Sequence, residues 1–485
     1  MRRSGHGLDW EIKPLPFKIY PGIEPLRLPT DVPALAVDAF AALAPESSPA
    51  APAPPLDLPR LAALLFFSAG VTRVKRYPGG GQIHFRAAPS TGALYQTEVY
   101  VVAGDVAGLE PGVYHFNPGD FGLRRLRAGD FRGAAALAAA DEAIAERPAS
   151  IVLSAIYWRN TWKYQARAYR HLFWDSGTLL AQLLAAARAL DLPARLVTGF
   201  VDAELDALLG LDPRKEAALV MVPVGGGGRP AEAPPLVTAL APEVIPLSAR
   251  EVDYPLLREA LADSSLESEA EVLDWRERGR DRVRAHPQTS PRATIALPAP
   301  RGQAGQSLGE TIVRRGSTRE FSGEAIGAQA LSSALHHATR GFPADVPAGL
   351  VDLYLTIHAV DGIEPGAYHY EPDSHRLQLL RAGDVRSDAA FLCLEQPLGG
   401  RSSATVFFLA DLTETLERWG NRGYRLANLE AGLIGGRLYL GAYGQRFGAS
   451  GLTFYDADVV TFFSPHAAGK DALFVTALGR SLTRG

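Results

Sequence analysis

Arg315, Ser317 and Arg319 occupy alternate positions in IVRRGSTREF, just ahead of an expected helix. Two guanidinium groups, a hydroxyl and the adjoining backbone N–H groups suit a phosphate monoester carrying a charge of about −2. An exposed basic turn has the same composition, so the motif alone leaves both readings open. In RAAPSTGALYQTEVYVV, Pro89, Ser90, Thr91 and Gly92 make a polar turn that runs into apolar sequence. Such a turn offers amides and hydroxyls to the edge of a flat heteroaromatic ligand, and its small residues permit close approach. A capped helix or a hairpin is the structural alternative. Other chemistries have weaker support. The glycine runs at Gly79 and Gly225 lack the strand and helix of a dinucleotide site. His336 and His337 are adjacent, His115 and His369 recur within one motif, and none has metal-ligand spacing with an acidic partner, so no metal is expected. Cys393, the single cysteine, lies in FLCLEQP and reads as a buried free thiol.

The elements that must position these residues occur twice. GLEPGVYHFNPGDFGLRRLRAGD from Gly108 and GIEPGAYHYEPDSHRLQLLRAGD from Gly362 share 13 of 23 positions at an offset of 254. ARAYRHLFWDSG from Ala166 matches NRGYRLANLEAG from Asn421, and TGFVDAELDALLG from Thr198 matches LTFYDADVVTFFS from Leu452, in the same order. Long-period similarity of this kind means a duplicated domain. The YHF and YHY runs read as hairpins, and the stretches after Arg167 and Arg422 carry apolar residues at helical period. The fold class is therefore α+β in both halves, 1–225 and 305–485. Between them, 226–304 begins with GGGGRPAEAPP, ends in the proline-rich PQTSPRATIALPAPRG, and contains one expected exposed helix with mixed charges in EALADSSLESEAEVLDWRERGRDRV.

A duplicated fold is a tethered two-fold dimer, in which an interface site would occur twice and draw on both copies. The two copies have kept different parts. From Leu28 to Pro59 the first has no Lys or Arg to match Arg315 and Arg319, and the second reads PADVPAG from Pro343 where the first has its Ser-Thr turn. The losses are complementary, which predicts one site. Composition narrows the class further. With 485 residues, 47% hydrophobic, and a net charge of −4, the chain gives no general attraction to nucleic acid. MRRSGHGLDWEIKP has no apolar stretch after its arginines, and no run approaches the length of a membrane helix, so a cytoplasmic protein without membrane contact is expected.

Together these motifs resemble the SagB-type, or thiazoline and oxazoline oxidase, branch of the FMN-dependent nitroreductase superfamily. Arg315, Ser317 and Arg319 match its Arg-x-Ser-x-Lys/Arg phosphate motif; Pro89, Ser90, Thr91 and Gly92 match the Pro-Ser motif that approaches the isoalloxazine from the partner copy. PLPFKIYPGIEPLRLP and GLEPGVYHF also look like this branch. The resemblance implies two fused nitroreductase-like domains, each a central antiparallel sheet flanked by helices, forming an intrachain pseudo-dimer with one FMN per chain between its halves. It implies that Gly451 and Leu452 in GASGLTFYD approach the flavin N5; Lys470 and Arg480, near the end of the same half, read equally as residues that reach the phosphate or as surface residues. It assigns catalysis to a Lys-Tyr pair, here Lys163 and Tyr164, whose second-half matches are Arg418 and Trp419. Oxidising an azoline needs a base near the ring carbon, and a lysine of lowered pKa or a Lys-Tyr couple can serve. A snorkelling lysine beside a core aromatic is the structural alternative. Three functions follow from the resemblance. The first is dehydrogenation of an azoline-type ring or related bond in a small molecule or peptide, with a cyclodehydratase complex as partner. The second is an NAD(P)H-dependent nitro, quinone or ene reductase, and the third a non-catalytic flavin-binding scaffold. The chain would act as a monomeric pseudo-dimer or a homodimer.

Overall fold

Short apolar runs broken by Pro, Gly and Asp fold as strands. In the computed structural model, which describes residues 7–44, 52–78, 81–231, 233–280 and 293–482, they build two antiparallel sheets of one plan. The opening six residues, residues 45–51 of the Ala/Pro-rich stretch, Gly79 and the PQTSP segment lie outside the described residues. In the first half the strands are Leu26–Arg27 (β1), Val71–Arg76 (β2), Gln82–Arg86 (β3), Thr97–Ala103 (β4), Gly112–Asn117 (β5), Gly122–Ala128 (β6), Ala149–Ile156 (β7) and Glu216–Val224 (β8). The second half has Thr294–Ala296 (β9), Ile326–Gly327 (β10), Val351–Ile357 (β11), Val360–Asp361 (β12), Gly366–Glu371 (β13), Arg376–Ala382 (β14), Ala404–Ala410 (β15), Gly448–Gly451 (β16) and Asp471–Gly479 (β17). The first sheet is ordered β1-β6-β5-β4-β7-β8 and the second β16-β17-β15-β11-β13-β14-β9, so five strands repeat in the same order. Even the irregularities repeat. A register shift falls at Val113/Tyr114 and again at Ala367/Tyr368. In both hairpins the tyrosine hydroxyl donates to the carbonyl of the glutamate four residues earlier, at 2.6 Å for Tyr114 and 2.7 Å for Tyr368.

The long helices Ala168–Ala189 and Arg422–Gly444 cross between the sheets. Glycine permits the crossing. A Cβ on Gly177 would lie 2.3 Å from the Leu429 carbonyl oxygen, and one on Gly432 would lie 2.0 Å from that of Trp174. Each helix also grips the opposite half through two arginines. Arg422 and Arg425 hold Asp202 at 2.5 and 2.7 Å, while Arg167, at 2.7 Å, and Arg170 hold Asp456. These are the matched segments of the sequence repeat, so the repeat is explained by a reciprocal clamp. The apolar core is continuous across it, with Leu308, Ile312, Leu429 and Leu433 packed among first-half residues. The result is two fused α+β domains in a pseudo-dimer.

The expected single linker helix is two, Pro255–Ala262 and Glu269–Arg280, and the second is not simply exposed. Val272 and Trp275 are buried against Val201, Val346 and Trp419. The chain breaks between the helices because Leu266 leaves the helical path, donating to the Asp202 carboxylate and accepting from the Asp202 N–H. Cys393 is buried, which raises its thiol pKa. Among the described residues no helix is long and apolar enough to cross a membrane.

Candidate functional site

The polar turn is set by a carboxylate that no motif announced. Asp175, buried on the helix Ala168–Ala189, accepts from Ser90 Oγ at 2.7 Å, Thr91 N at 2.8 Å, Thr91 Oγ1 at 2.7 Å and Gln96 Nε2 at 2.7 Å. Burial raises the Asp175 pKa, and these four bonds oppose the rise. Trp174 Nε1 donates to Thr91 Oγ1, and Thr178 Oγ1 donates to the Pro89 carbonyl, both at 2.8 Å. Pro89, Ser90 and Thr91 are thus fixed by one helix face at residues 174, 175 and 178, positions that share a face at helical spacing.

Arg315 crosses from the second half to the strand leading into this turn. Its Nε donates to the Ala87 carbonyl at 2.7 Å and its Nη2 to that of Arg86 at 2.8 Å, with the guanidinium buried. Ser317 Oγ lies 3.2 Å from the Tyr439 hydroxyl, which accepts from Gly451 N at 2.5 Å. The phosphate-type motif therefore meets, across the halves, the segment that leads into the ring-edge turn. Leu452 N donates to the Val475 carbonyl at 3.1 Å, so neither Gly451 nor Leu452 offers a spare N–H. The next amide does: Thr453 N–H has no partner among the described residues.

Lys163 and Tyr164 end the helix Tyr157–Tyr164 beside the same turn. Gly92 has φ +65°, and a Cβ there would lie 3.0 Å from the Tyr164 hydroxyl, so the turn needs glycine for conformation and for space. Replacing Gly92 with alanine should cost about 1–2 kcal/mol through the left-handed conformation alone and displace Tyr164. Thermal melts and a Gly92→Asn variant check this, since asparagine tolerates that backbone region better. The Lys163 pKa is lowered by burial, then by the positive charges of Arg319 and Lys13. Arg319 is exposed, with no carboxylate partner among the described residues. Burial and the Asp175 charge raise the Tyr164 phenol, which stays protonated.

Behind Tyr164 lies His171, also absent from sequence reasoning. Its Nδ1 lies 2.6 Å from Asn160 Oδ1, its ring stacks on Trp174 at 4.4 Å and meets Tyr164 edge-on at 4.6 Å. Burial and the charges of Arg167 and Arg170 keep it neutral. A cleft of 660 Å³ runs beside the same helix, lined by Tyr157, Trp158 and Thr161 and by the linker from Ser248 to Tyr254.

Two expected members do not join. Arg480 Nε donates to the Ala325 carbonyl at 2.9 Å and sits near Glu324, and Lys470 pairs with Asp352 at 2.7 Å. β17 ends before Arg480, and the chain then pairs Ser481 with Phe321, which aims the arginine at that edge. The expectation that these two reach a phosphate is corrected.

The symmetry-related position is closed. Asp345, which stands at the offset of Thr91, accepts from Thr198 N at 2.9 Å, Thr198 Oγ1 at 2.8 Å and Gly199 N at 2.8 Å. A Cβ on Gly199 would lie 2.8 Å from the Trp275 ring, and Arg276 donates to the carbonyls of Ala139, Ala140 and Gly199. Gly199 is therefore structural. Where Asp345 fills its own side, the first site presents the Tyr164 hydroxyl, the Thr453 amide and Arg319, which has no carboxylate partner among the described residues, a donor set that fits a phosphate ester bearing a flat ring, as FMN does.

Comparison with known proteins agrees with this geometry. The profile described as "Nitroreductase family" matches residues 52–226. A protein of Methanocaldococcus jannaschii described as a candidate nitroreductase is 33% identical over 172 residues, covering 35% of this chain and 81% of the relative. The trifolitoxin-processing protein TfxB of Rhizobium leguminosarum bv. trifolii is 29% identical over 174 residues, 34% of this chain and 46% of the relative. A crystal structure of a candidate nitroreductase from Anabaena variabilis superposes with a TM-score of 0.76 at 26% identity, over 98% of this chain and 96% of that one.

Proposed function

This chain belongs to the nitroreductase family, and we propose that within it the chain is a SagB-type dehydrogenase of azoline rings, or a related saturated bond, in a peptide natural product. It is an FMN-dependent oxidoreductase. The proposal takes 1–225 and 305–485 as the two domains, 226–304 as the linker, and one FMN per chain. Arg315, Ser317 and Arg319 would hold the phosphate, Pro89 to Gly92 with Gly451, Leu452 and Thr453 would border the ring, and the closed position at Asp345 supports a single site. When bound, FMN supplies the hydride acceptor. Lys163, as the neutral amine, takes the proton from the azoline ring carbon, and its lowered pKa raises the neutral fraction near pH 7. Tyr164, protonated and braced by His171 and Gly92, holds the substrate ring by a hydrogen bond from its hydroxyl. The observation that carries the reading is that Tyr164 abuts the turn at Gly92 while its neighbour Lys163 feels the charge of Arg319. The processing role in the name of TfxB supports a natural-product substrate, and a complex containing a cyclodehydratase is the partner we propose.

The nitroreductase descriptions of the other relatives favour a second reading, NAD(P)H-dependent reduction of a nitroaromatic or quinone. One set of assays separates them. The FMN-loaded enzyme is given a methylthiazoline dipeptide under air, and separately NADPH with nitrofurazone. Azoline oxidation should dominate, rise with pH through the Lys163 pKa, and fall about 100-fold in Lys163→Gln with flavin content unchanged. Rapid bleaching by NADPH, with nitrofurazone turnover indifferent to Lys163→Gln and no thiazole formed, would establish the reductase instead.

A further inference from the structure

The hairpin β2–β3 stands apart from both large sheets. Its strands pair only with one another, so among the described residues no third strand covers either outer edge. An isolated two-stranded hairpin is marginal in water, and an uncovered edge is a template for another strand. Its composition is one-sided. From Leu58 to Thr97 there is no Asp or Glu, in a chain whose net charge is −4, and the hairpin carries Arg73, Lys75 and Arg76, all exposed. None of the three forms an ion pair with a carboxylate among the described residues. Apolar side chains stand among them: Val74, Tyr77 and Ile83 are 40%, 42% and 36% exposed, with Tyr77 and Ile83 on the face of Arg73 and Lys75, and Val74 and Arg76 on the other. Arg73 lies over the Phe85 ring at 4.6 Å and Lys75 over Tyr77 at 4.9 Å, which keeps the cations raised on aromatic supports.

The hairpin also leads to the site. β3 continues without interruption into Ala87 and the Pro89 to Gly92 turn, and its last residue offers the carbonyl that Arg315 binds. Ser90 lies six residues beyond His84, at most about 20 Å along the chain, with a bend at Ala87 and Ala88 after the strand ends. The other side of the ladder is partly occupied, because His84 meets Phe17 edge-on at 5.2 Å.

We propose that this hairpin is the docking edge for the peptide substrate. It takes an acidic, extended segment lying about six residues from the reacting residue, added as a third strand whose carboxylates share the face of Arg73 and Lys75. Main-chain ladder bonds supply sequence-tolerant affinity, the cations select the acidic segment, and the continuity of β3 delivers the downstream residues to Gly92 and Tyr164. The inference rests on the peptide-substrate reading above, and binding can be scored without turnover, so the two fail separately.

The probe is a fluorescein-labelled dodecapeptide of alternating Glu and Val, titrated by anisotropy against the FMN-loaded full chain. A Lys-Val peptide and an alternately N-methylated Glu-Val peptide serve as controls. Saturable binding of Glu-Val that weakens steeply between 50 and 200 mM salt is expected, with binding lost on N-methylation. The double variant Arg73→Glu, Lys75→Glu should weaken Glu-Val by roughly tenfold and gain affinity for Lys-Val. Its flavin content and melting curve should match the parent protein, since both side chains are exposed. No saturable Glu-Val binding, equal affinity in parent and double variant, or undiminished binding of the N-methylated peptide would overturn the docking edge, whatever the outcome of the azoline assay.

Discussion

Arg315→Ala should yield a protein that purifies colourless and binds added FMN about 100-fold more weakly. The guanidinium is buried and joins the halves through the carbonyls of Arg86 and Ala87. Two effects add when it is removed. The charge proposed to face the phosphate is gone, and hydrogen bonds to charged groups contribute about 1.5–3 kcal/mol each. The strand entering the Pro89 to Gly92 turn also loses its cross-domain support, so the ring edge loosens with the phosphate end. Arg315→Lys should not restore binding, because an ammonium cannot reproduce a planar fork that serves three carbonyls, those of Arg86, Ala87 and Gly316, while leaving donors for an anion. Fluorescence-quenching titration of the flavin-free protein measures the loss. Full flavin occupancy in Arg315→Ala would remove this residue from the site.

Asp202→Ala should be the most destabilising single change in the interface, costing about 3–5 kcal/mol, because it strands two buried guanidinium groups, Arg422 and Arg425. Against a total stability of about 5–15 kcal/mol this is a large fraction. Its pseudo-symmetric partner gives the control. The Asp456 side chain is 34% exposed, so Asp456→Ala breaks a pair that water screens and should cost about 1 kcal/mol or less. Urea melts of the two variants should differ accordingly. The pH dependence has a definite sign. Burial alone would raise the Asp202 pKa, but Arg422, Arg425 and the Leu266 N–H outweigh it and hold the carboxyl below its ordinary value. Its stabilisation is therefore complete above about pH 4 and lost as pH falls through the depressed pKa. Equal urea midpoints for Asp202→Ala and Asp456→Ala would show that burial of the clamp has no energetic consequence.

Features with local causes were legible in the sequence. The YHF and YHY hairpins, the helices after Arg167 and Arg422 and the duplication all follow from alternation, helical period and repeated residues. The motif residues Arg315, Ser317, Ser90, Thr91, Gly92, Lys163 and Tyr164 are brought to one place, since each motif sits where its element begins or ends. The supporting residues were not legible. Asp175 lies 84 positions from Thr91, and a lone aspartate within an amphipathic helix carries no sign of the turn it will organise. Tyr439 and His171 are hidden in the same way within apolar helices. Thr453 carries no sign of its own in sequence, and only its match Gly199, whose N–H donates to Asp345, marks that amide. Trp275 and Arg276 read as part of a solvated charged helix, because mixed charge conceals the face that Val272 and Trp275 share. Arg480 was misplaced because sequence gives the end of a strand without the direction its next side chain takes.

Tethering the two copies changes how the site responds to dilution. In an unlinked pair of subunits, a cleft built from both comes apart when protein concentration falls below the dissociation constant of the pair. Here Arg315 and the turn it supports belong to one polypeptide, and their encounter is governed by an effective concentration set by the linker. Affinity for the nucleotide should therefore be independent of enzyme concentration down to the nanomolar range, so an assay diluted far below cellular abundance and supplied with free FMN would still report the intact catalyst.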